Sequence, residues 1–302
     1  MVVLNKIIAL FLIILIGVYG AKKEIIDEEV NKGLIKILLE ITLPLLVINS
    51  FSFTFSEEIK GDMIKAFIYS TLFFIVGGII SYILLRPLKD EKSKILQFGN
   101  VFSNCGFIGF PIINSIYGAE GVVYTSIFNM VFTIALWTYG IIIFTGSTSK
   151  ENIRKVLINP AIIAVYIGIA IMVFNIKLPT AIIDTSKIVG EMTAPISMII
   201  VGNILSKVRV KDIFKEKTIY YGALIKLIII PLVLFTITRY VLKDNSIVMN
   251  TIIIIQAMPA AAMTSIFAAD FNKEKEYSAM LVFVTTLLSI VTIPIISRIL
   301  GA

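Results

Sequence analysis

Apolar residues gather along this chain in long blocks separated by short polar connections. The blocks run over residues 2–21, 34–55, 63–85, 94–116, 120–145, 157–175, 184–206, 218–239, 246–268 and 277–300. A helix needs about 20 mostly apolar residues to cross the roughly 30 Å hydrocarbon layer of a bilayer. The pattern predicts an all-α integral membrane protein of ten transmembrane helices. The longest connection, Gly146 to Val156, falls at the midpoint and divides the chain into residues 1–145 and 157–302, five spans each.

Composition strengthens that picture. Of 302 residues, 58% are hydrophobic and 16% charged, against about 25% charged in soluble domains. The mean hydropathy is +0.96. A soluble core of this size could not hide so much apolar surface. The first block keeps Lys22 and Lys23 directly after it. That favours a retained first helix over a cleaved signal peptide.

Charge changes the picture in two ways. The net charge is +7, but the basic residues sit in clusters between apolar blocks. That placement suits anionic headgroups and orientation control, and argues against a nucleic-acid partner. Connections after the odd-numbered spans carry 18 Lys and Arg, and the opposite side carries 8. The positive-inside rule then puts both termini outside and the midpoint linker in the cytoplasm of a plasma-membrane protein.

Five spans per half is an odd number, so two equivalent halves must insert with opposite orientation. The sequence carries such an echo. Glu40-Ile-Thr42-Leu-Pro44 in the second span returns as Glu191-Met-Thr193-Ala-Pro195 in the seventh. An inverted repeat of this kind is a common plan for secondary transporters, with the site at the midplane between the halves.

The fourth and ninth spans are poor helices. The fourth contains Asn100, Ser103, Asn104, Cys105, Gly106, Gly109, Pro111 and Asn114. The ninth contains Gln256, Met258, Pro259, Thr264 and Ser265. A proline inside a helix removes a donor and costs roughly 3 kcal/mol. Unwound backbone in a bilayer must be buried in protein or line a wet cavity. The half-helix N-termini it creates are ready sites for anions. Paired interruptions in corresponding spans point to a transport site, although small residues and prolines also serve close helix packing.

The run Asn104-Cys105-Gly106-Phe-Ile-Gly109-Phe-Pro111 resembles the fourth-helix motif of the auxin efflux carrier family of secondary transporters. Gln256-Ala-Met258-Pro259, continuing to Phe271, resembles that family's ninth helix, with one residue fewer between Gln and Pro than in plant members. Leu43-Pro44 and Ala194-Pro195 fit as well. The resemblance covers the whole chain. It implies a fold related to the bile-acid/sodium symporter superfamily, with helices 4 and 9 broken and crossing. Helices 1, 2, 6 and 7 would form a scaffold, and helices 3–5 and 8–10 a transport domain moving like an elevator. It implies a small organic anion as substrate, such as malate, malonate or an auxin-like weak acid. Asn104, Pro111 and Pro259 carry over as site residues. The eleven-residue linker lacks the long regulatory loop of plant carriers.

Other polar residues keep two readings. Glu40 and Glu191 suit a symmetric ion or proton site, or carboxylates near a membrane surface bonded to a neighbour. Lys226 suits a counter-charge for the anion, or a side chain snorkelling to the interface. Asn49, Ser50, Ser52, Asn129 and Asn203 either face substrate or bond between helices. Cys105 reads as a small packing residue in the break, and Trp137 as a lipid-facing or interfacial aromatic.

One cysteine and no histidine exclude a disulfide within the chain, Cys/His metal sites, and Ser-His or Cys-His catalysis. No enzyme and no cofactor is expected. A proton or sodium ion as coupling ion stays open, as does a sodium-coupled symporter of a larger anion. A homodimer through the scaffold is a further expectation. A channel would call for rings of like charge, which the sequence lacks.

Overall fold

The computed structural model describes residues 2–52, 57–88, 90–146, 159–174, 176–206 and 216–301. The expected linker lies outside the described residues from 147 to 156. So do Lys89 and the basic residues of 207–215.

Each apolar block is largely helical in its described part, with breaks at 102–104 and 257–262. The helices are α1 (Val2–Lys22), α2 (Glu28–Phe51), α3 (Glu57–Leu85), α4 (Glu91–Val101), α5 (Cys105–Thr145) and α6 (Pro160–Val173). They continue with α7 (Thr180–Ser206), α8 (Lys217–Leu242), α9 (Ile247–Gln256), α10 (Met263–Asp270) and α11 (Lys275–Ile299). Six helices are long and apolar enough to cross a membrane, and the chain is a multi-pass membrane protein. Three further helical segments, within α1 and across α6 and α9, are apolar but shorter. Among the described residues no β-strand forms. Helix starts follow the side-chain rule for free amides: Asp27, Asp90, Asn159 and Ser246 each cap the helix that follows.

Burial runs opposite to that of a soluble protein. Leu15, Ile16, Ile64, Ile79 and Val291 stand exposed on the outside, while Asn100, Ser103, Lys226, Gln256 and Thr285 are wholly buried. Lipid accepts the apolar exterior, and the interior gathers the polar groups.

Proline shapes three of the helices in one way. The segments Leu38–Thr42, Cys105–Gly109 and Ile225–Ile229 are π-turns, and Pro44, Pro111 and Pro231 each follow two residues later. A proline ring clashes with the carbonyl four residues back in an α-helix. Widening the turn removes that clash. In each case the residue before the proline donates to the carbonyl five residues back: Leu43 to Leu38, Phe110 to Cys105, Ile230 to Ile225. Pro111 therefore opens a regular segment and does not kink one. The connection between the fourth and fifth blocks is a single residue, Gly118, at φ 62 and ψ −147, a conformation only glycine adopts freely.

Two groups of helices pack among themselves. α1 lies along the second half of α7, and α2 packs on α6 and α7. α3 packs on α4, α5 and α9, while α11 packs on α8, α10 and α4. Small residues set the α1–α7 distance. A side chain on Gly202 would strike the Ile14 carbonyl and lie 2.8 Å from the Cα of Gly17. In the second group, rings from α3, α4, α5 and α10 form a cluster, with Phe98 4.5 Å from Phe102 and 5.2 Å from Phe267. Dispersion and close packing hold such contacts where lipid removes the hydrophobic drive.

Replacing Gly202 by Leu should cost about 1–3 kcal/mol or more through overpacking. The expected outcome is a lower unfolding midpoint of the purified protein in detergent. Gly33→Ala, where an added methyl meets nothing within 4 Å, should leave the midpoint unchanged or slightly raised.

Candidate functional site

The site begins where α4 ends. Phe102 leaves the helix in an extended conformation at φ −93 and ψ 106, and Asn104 sits at φ −74 and ψ 65 before α5 starts. Residues 257–262 unwind in the same way between α9 and α10. The two unwound pieces run antiparallel, paired at Ser103 and Ala260. Asn104 N donates to the Pro259 carbonyl at 2.8 Å, and Ala261 N donates to the Phe102 carbonyl at 2.8 Å. Ala260 N donates to Thr285 Oγ1 at 3.2 Å. Pro259, with no N–H, leaves no orphan donor at this crossing.

One side of the crossing opens on a cavity of about 280 Å³. Ser103, Asn104, Cys105 and Gly106 line it from the first break, and Ala261, Ala262 and Met263 from the second. Asn129, Thr133 and Trp137 of α5 line it as well. Leu39, Leu43, Asn159 and Ala161 close it from α2 and α6.

Three helix N-termini therefore meet at one cavity: those of α5, α10 and α6. Each carries partial positive charge, although α6 starts with Pro160 and its Ala161 and Ile162 amides are capped by Asn159, so that end offers field and no free N–H. The N–H groups of Ala262 and Met263 make no backbone hydrogen bond among the described residues.

Three asparagines add side-chain donors. Asn104 Oδ1 accepts from Phe107 N at 3.1 Å, and Asn159 Oδ1 accepts from Ala161 N at 3.0 Å. Asn129 Oδ1 accepts from the Cys105 thiol at 3.4 Å. With every carbonyl oxygen engaged, each Nδ2 is left as a donor. Among the described residues no Asp or Glu lines the cavity. Its polar wall presents mostly donors.

Behind the crossing lies a second polar cluster. Ser103 Oγ faces the Gln256 carbonyl at 3.1 Å and Gln256 Oε1 at 3.4 Å. Lys226 Nζ donates to Ser103 Oγ at 2.6 Å and to the Asn100 carbonyl at 3.0 Å. Asn100 Nδ2 donates to Ser81 Oγ at 3.1 Å. Lys226 thus touches the cavity wall only through Ser103.

Several residues singled out in the sequence lie elsewhere. Gly109 and Pro111 stand behind the cavity lining, where Gly109 N donates to the Asn104 carbonyl at 2.9 Å. Met258 is buried beside the crossing without lining the cavity. Asn203 Nδ2 donates to the Ile26 carbonyl at 2.7 Å, tying α7 to the connection between α1 and α2. Asn49 is half-buried on α2 and does not line the cavity. Glu40 and Glu191 are exposed and do not line it either. Trp137 faces the cavity and packs 5.8 Å from Phe267, so it is not a lipid-facing aromatic. The sequence reading missed Asn159 and Thr133. Asn159 was legible as the Asn-Pro160 start of a helix, the signature of a side-chain cap.

Comparison with known proteins agrees with this architecture. A family described as membrane transport protein matches residues 2–297. An uncharacterized transporter of Methanocaldococcus jannaschii, MJ1031, is 24% identical, covering 97% of this chain and 97% of its own. An uncharacterized transporter of Methanothermobacter thermautotrophicus is 23% identical over 98% of each chain. The uncharacterized transporter YfdV of Escherichia coli K12 is 22% identical over 97% of this chain and 96% of its own. These relatives are named as transporters, not enzymes. The chain belongs to the membrane transport protein family, the auxin efflux carrier family that its fourth-span motif resembles.

Proposed function

We propose that this protein is a secondary transporter of a small organic anion, bound in the cavity at the crossing of the two broken helices. The observation that carries this reading is the convergence of three helix N-termini and three asparagine amides on one cavity that no carboxylate among the described residues lines. Such a wall attracts a carboxylate and repels a cation-binding role. A volume of about 280 Å³ falls just below the roughly 300–1,000 Å³ of drug-sized pockets. It suits a mono- or dicarboxylate of malate or malonate size better than a larger anion.

The mechanism we infer is an elevator. The halves 1–145 and 157–302 are inverted repeats, with α1, α2, α6 and α7 as scaffold. The remaining helices, α3–α5 and α8–α11, form the moving unit that carries the crossing. Two facts support this division. The helices of each group pack mainly among themselves. The cavity lies between them, with Leu39, Leu43, Asn159 and Ala161 on one side and the broken helices on the other. Both termini face outward from the plasma membrane and residues 146–156 the cytoplasm. A homodimer would form through the scaffold, leaving the moving unit free.

Purified protein in liposomes should take up a labelled dicarboxylate. Asn104→Ala removes a donor worth about 1.5–3 kcal/mol to a charged ligand, so affinity should fall about 10- to 100-fold with the protein still folded. Uptake and affinity both unchanged by Asn104→Ala would sink this site. A panel of anions in a thermal-shift assay identifies the substrate class.

A second measurement probes the cavity itself. A methyl added at Gly106 meets nothing within 4 Å. Gly106→Cys in a Cys105→Ser background should therefore react with a small hydrophilic thiol reagent, and the bound anion should slow that reaction several-fold. A thiol at 106 that stays unreactive in folded protein, with or without anion, contradicts an open cavity there.

A further inference from the structure

Lys226 is a wholly buried lysine that forms no ion pair among the described residues. Removing a charge from water costs several kcal/mol unless partners replace the solvent. Its partners are the Asn100 carbonyl and Ser103 Oγ, at 3.0 and 2.6 Å. Both lie at the carbonyl end of α4, where the helix macrodipole is negative and backbone acceptors have lost their helical donors. In transporters with broken helices, half-helix C-terminal ends and unwound carbonyls are where Na⁺ or H⁺ is held. Here a side chain stands in that place. Further oxygens stand next to its two partners. The Gln256 carbonyl and Oε1 stand 3.1 and 3.4 Å from Ser103 Oγ, and Asn100 Oδ1 is buried with no partner. The π-turn Ile225–Ile229 carries Lys226 at this point of α8, and such turns often mark functional sites.

We propose that the Lys226 ammonium is a tethered resident cation of the crossing. It fills the position an exchangeable sodium ion would take, so the anion is carried without sodium. Removing the side chain converts that position into a monovalent-cation site formed by the Asn100 and Gln256 carbonyls and Ser103 Oγ. The statement about transport rests on the function proposed above. The statement about cation occupancy does not.

The test is thermal unfolding of purified protein in NaCl, KCl and choline chloride at equal ionic strength, without substrate. The wild type should unfold at the same temperature in all three. Lys226→Ala should show a saturable rise with Na⁺ over choline, on the order of 5 °C at a hundredfold excess over Kd. Propylammonium, which restores the deleted atoms, should stabilise it too. A variant that folds only when purified in Na⁺ or propylammonium supports the proposal equally. A saturable Na⁺ response in the wild type overturns it. So does a Lys226→Ala protein that neither cation stabilises or recovers. In liposomes, replacing Na⁺ by choline should change wild-type uptake less than twofold and slow the variant at least tenfold. Failed uptake beside the expected unfolding pattern would count against the transport reading alone.

Discussion

Two backbone hydrogen bonds, from Asn104 N to the Pro259 carbonyl and from Ala261 N to the Phe102 carbonyl, are the constraint on which the rest of this molecule depends. In hydrocarbon each unsatisfied backbone group costs several kcal/mol. Neither break is tolerable by itself at membrane depth. Each becomes tolerable because the other supplies its partners. The pairing fixes the register of the fourth span against the ninth. It also brings together the elements that abut them: Thr285 of α11 at Ala260 N, and Lys226 of α8 at the Asn100 carbonyl. The polar interior is thus assembled around one pair of unwound segments.

The crossing sorts its charges by chain direction. α4 ends there with its carbonyls, and α5 begins there with its amides. The carbonyl end is met by Lys226 and is closed. The amide end opens on the cavity beside the N-termini of α10 and α6. One interruption therefore yields a neutralised acceptor side and an unfilled donor side. Ser103 joins them, touching Lys226 through its hydroxyl and lining the cavity. The buried cation strengthens the donor side without standing in it.

How much of this was legible in the sequence follows from the kind of signal each residue gives. The breaks were readable because Gly106, Pro111 and Pro259 carry backbone information of their own. Asn104 was readable because an amide beside such a break has little reason to be there otherwise. The detailed role of Pro111 was not readable. Local rules predict a kink, and the chain instead widens the preceding turn, as it does before Pro44 and Pro231. Asn203 and Asn49 follow corresponding prolines in the sequence, yet one ties α7 to the loop between α1 and α2 while the other is half-buried on α2. Long-range packing decides between these uses, and composition cannot. Trp137 fails for the same reason: an aromatic in a span faces lipid or protein according to neighbours that lie far away in sequence.

A carrier must release its cargo as readily as it binds it, and the chemistry of the cavity wall bears on that. A lysine or arginine in contact with a carboxylate would hold it through a desolvated ion pair, a strong and slowly broken interaction. Here the contacts available are neutral: three asparagine amides and the free amides of helix ends. Lys226 stands one residue back, behind Ser103. Charged as proposed, it would offset the proposed anion's charge while making no direct bond to it. Under the function proposed, a donor wall with a set-back cation would select anions by field and hold them with modest affinity by contact. That combination suits a site loaded from one side of a membrane and emptied to the other.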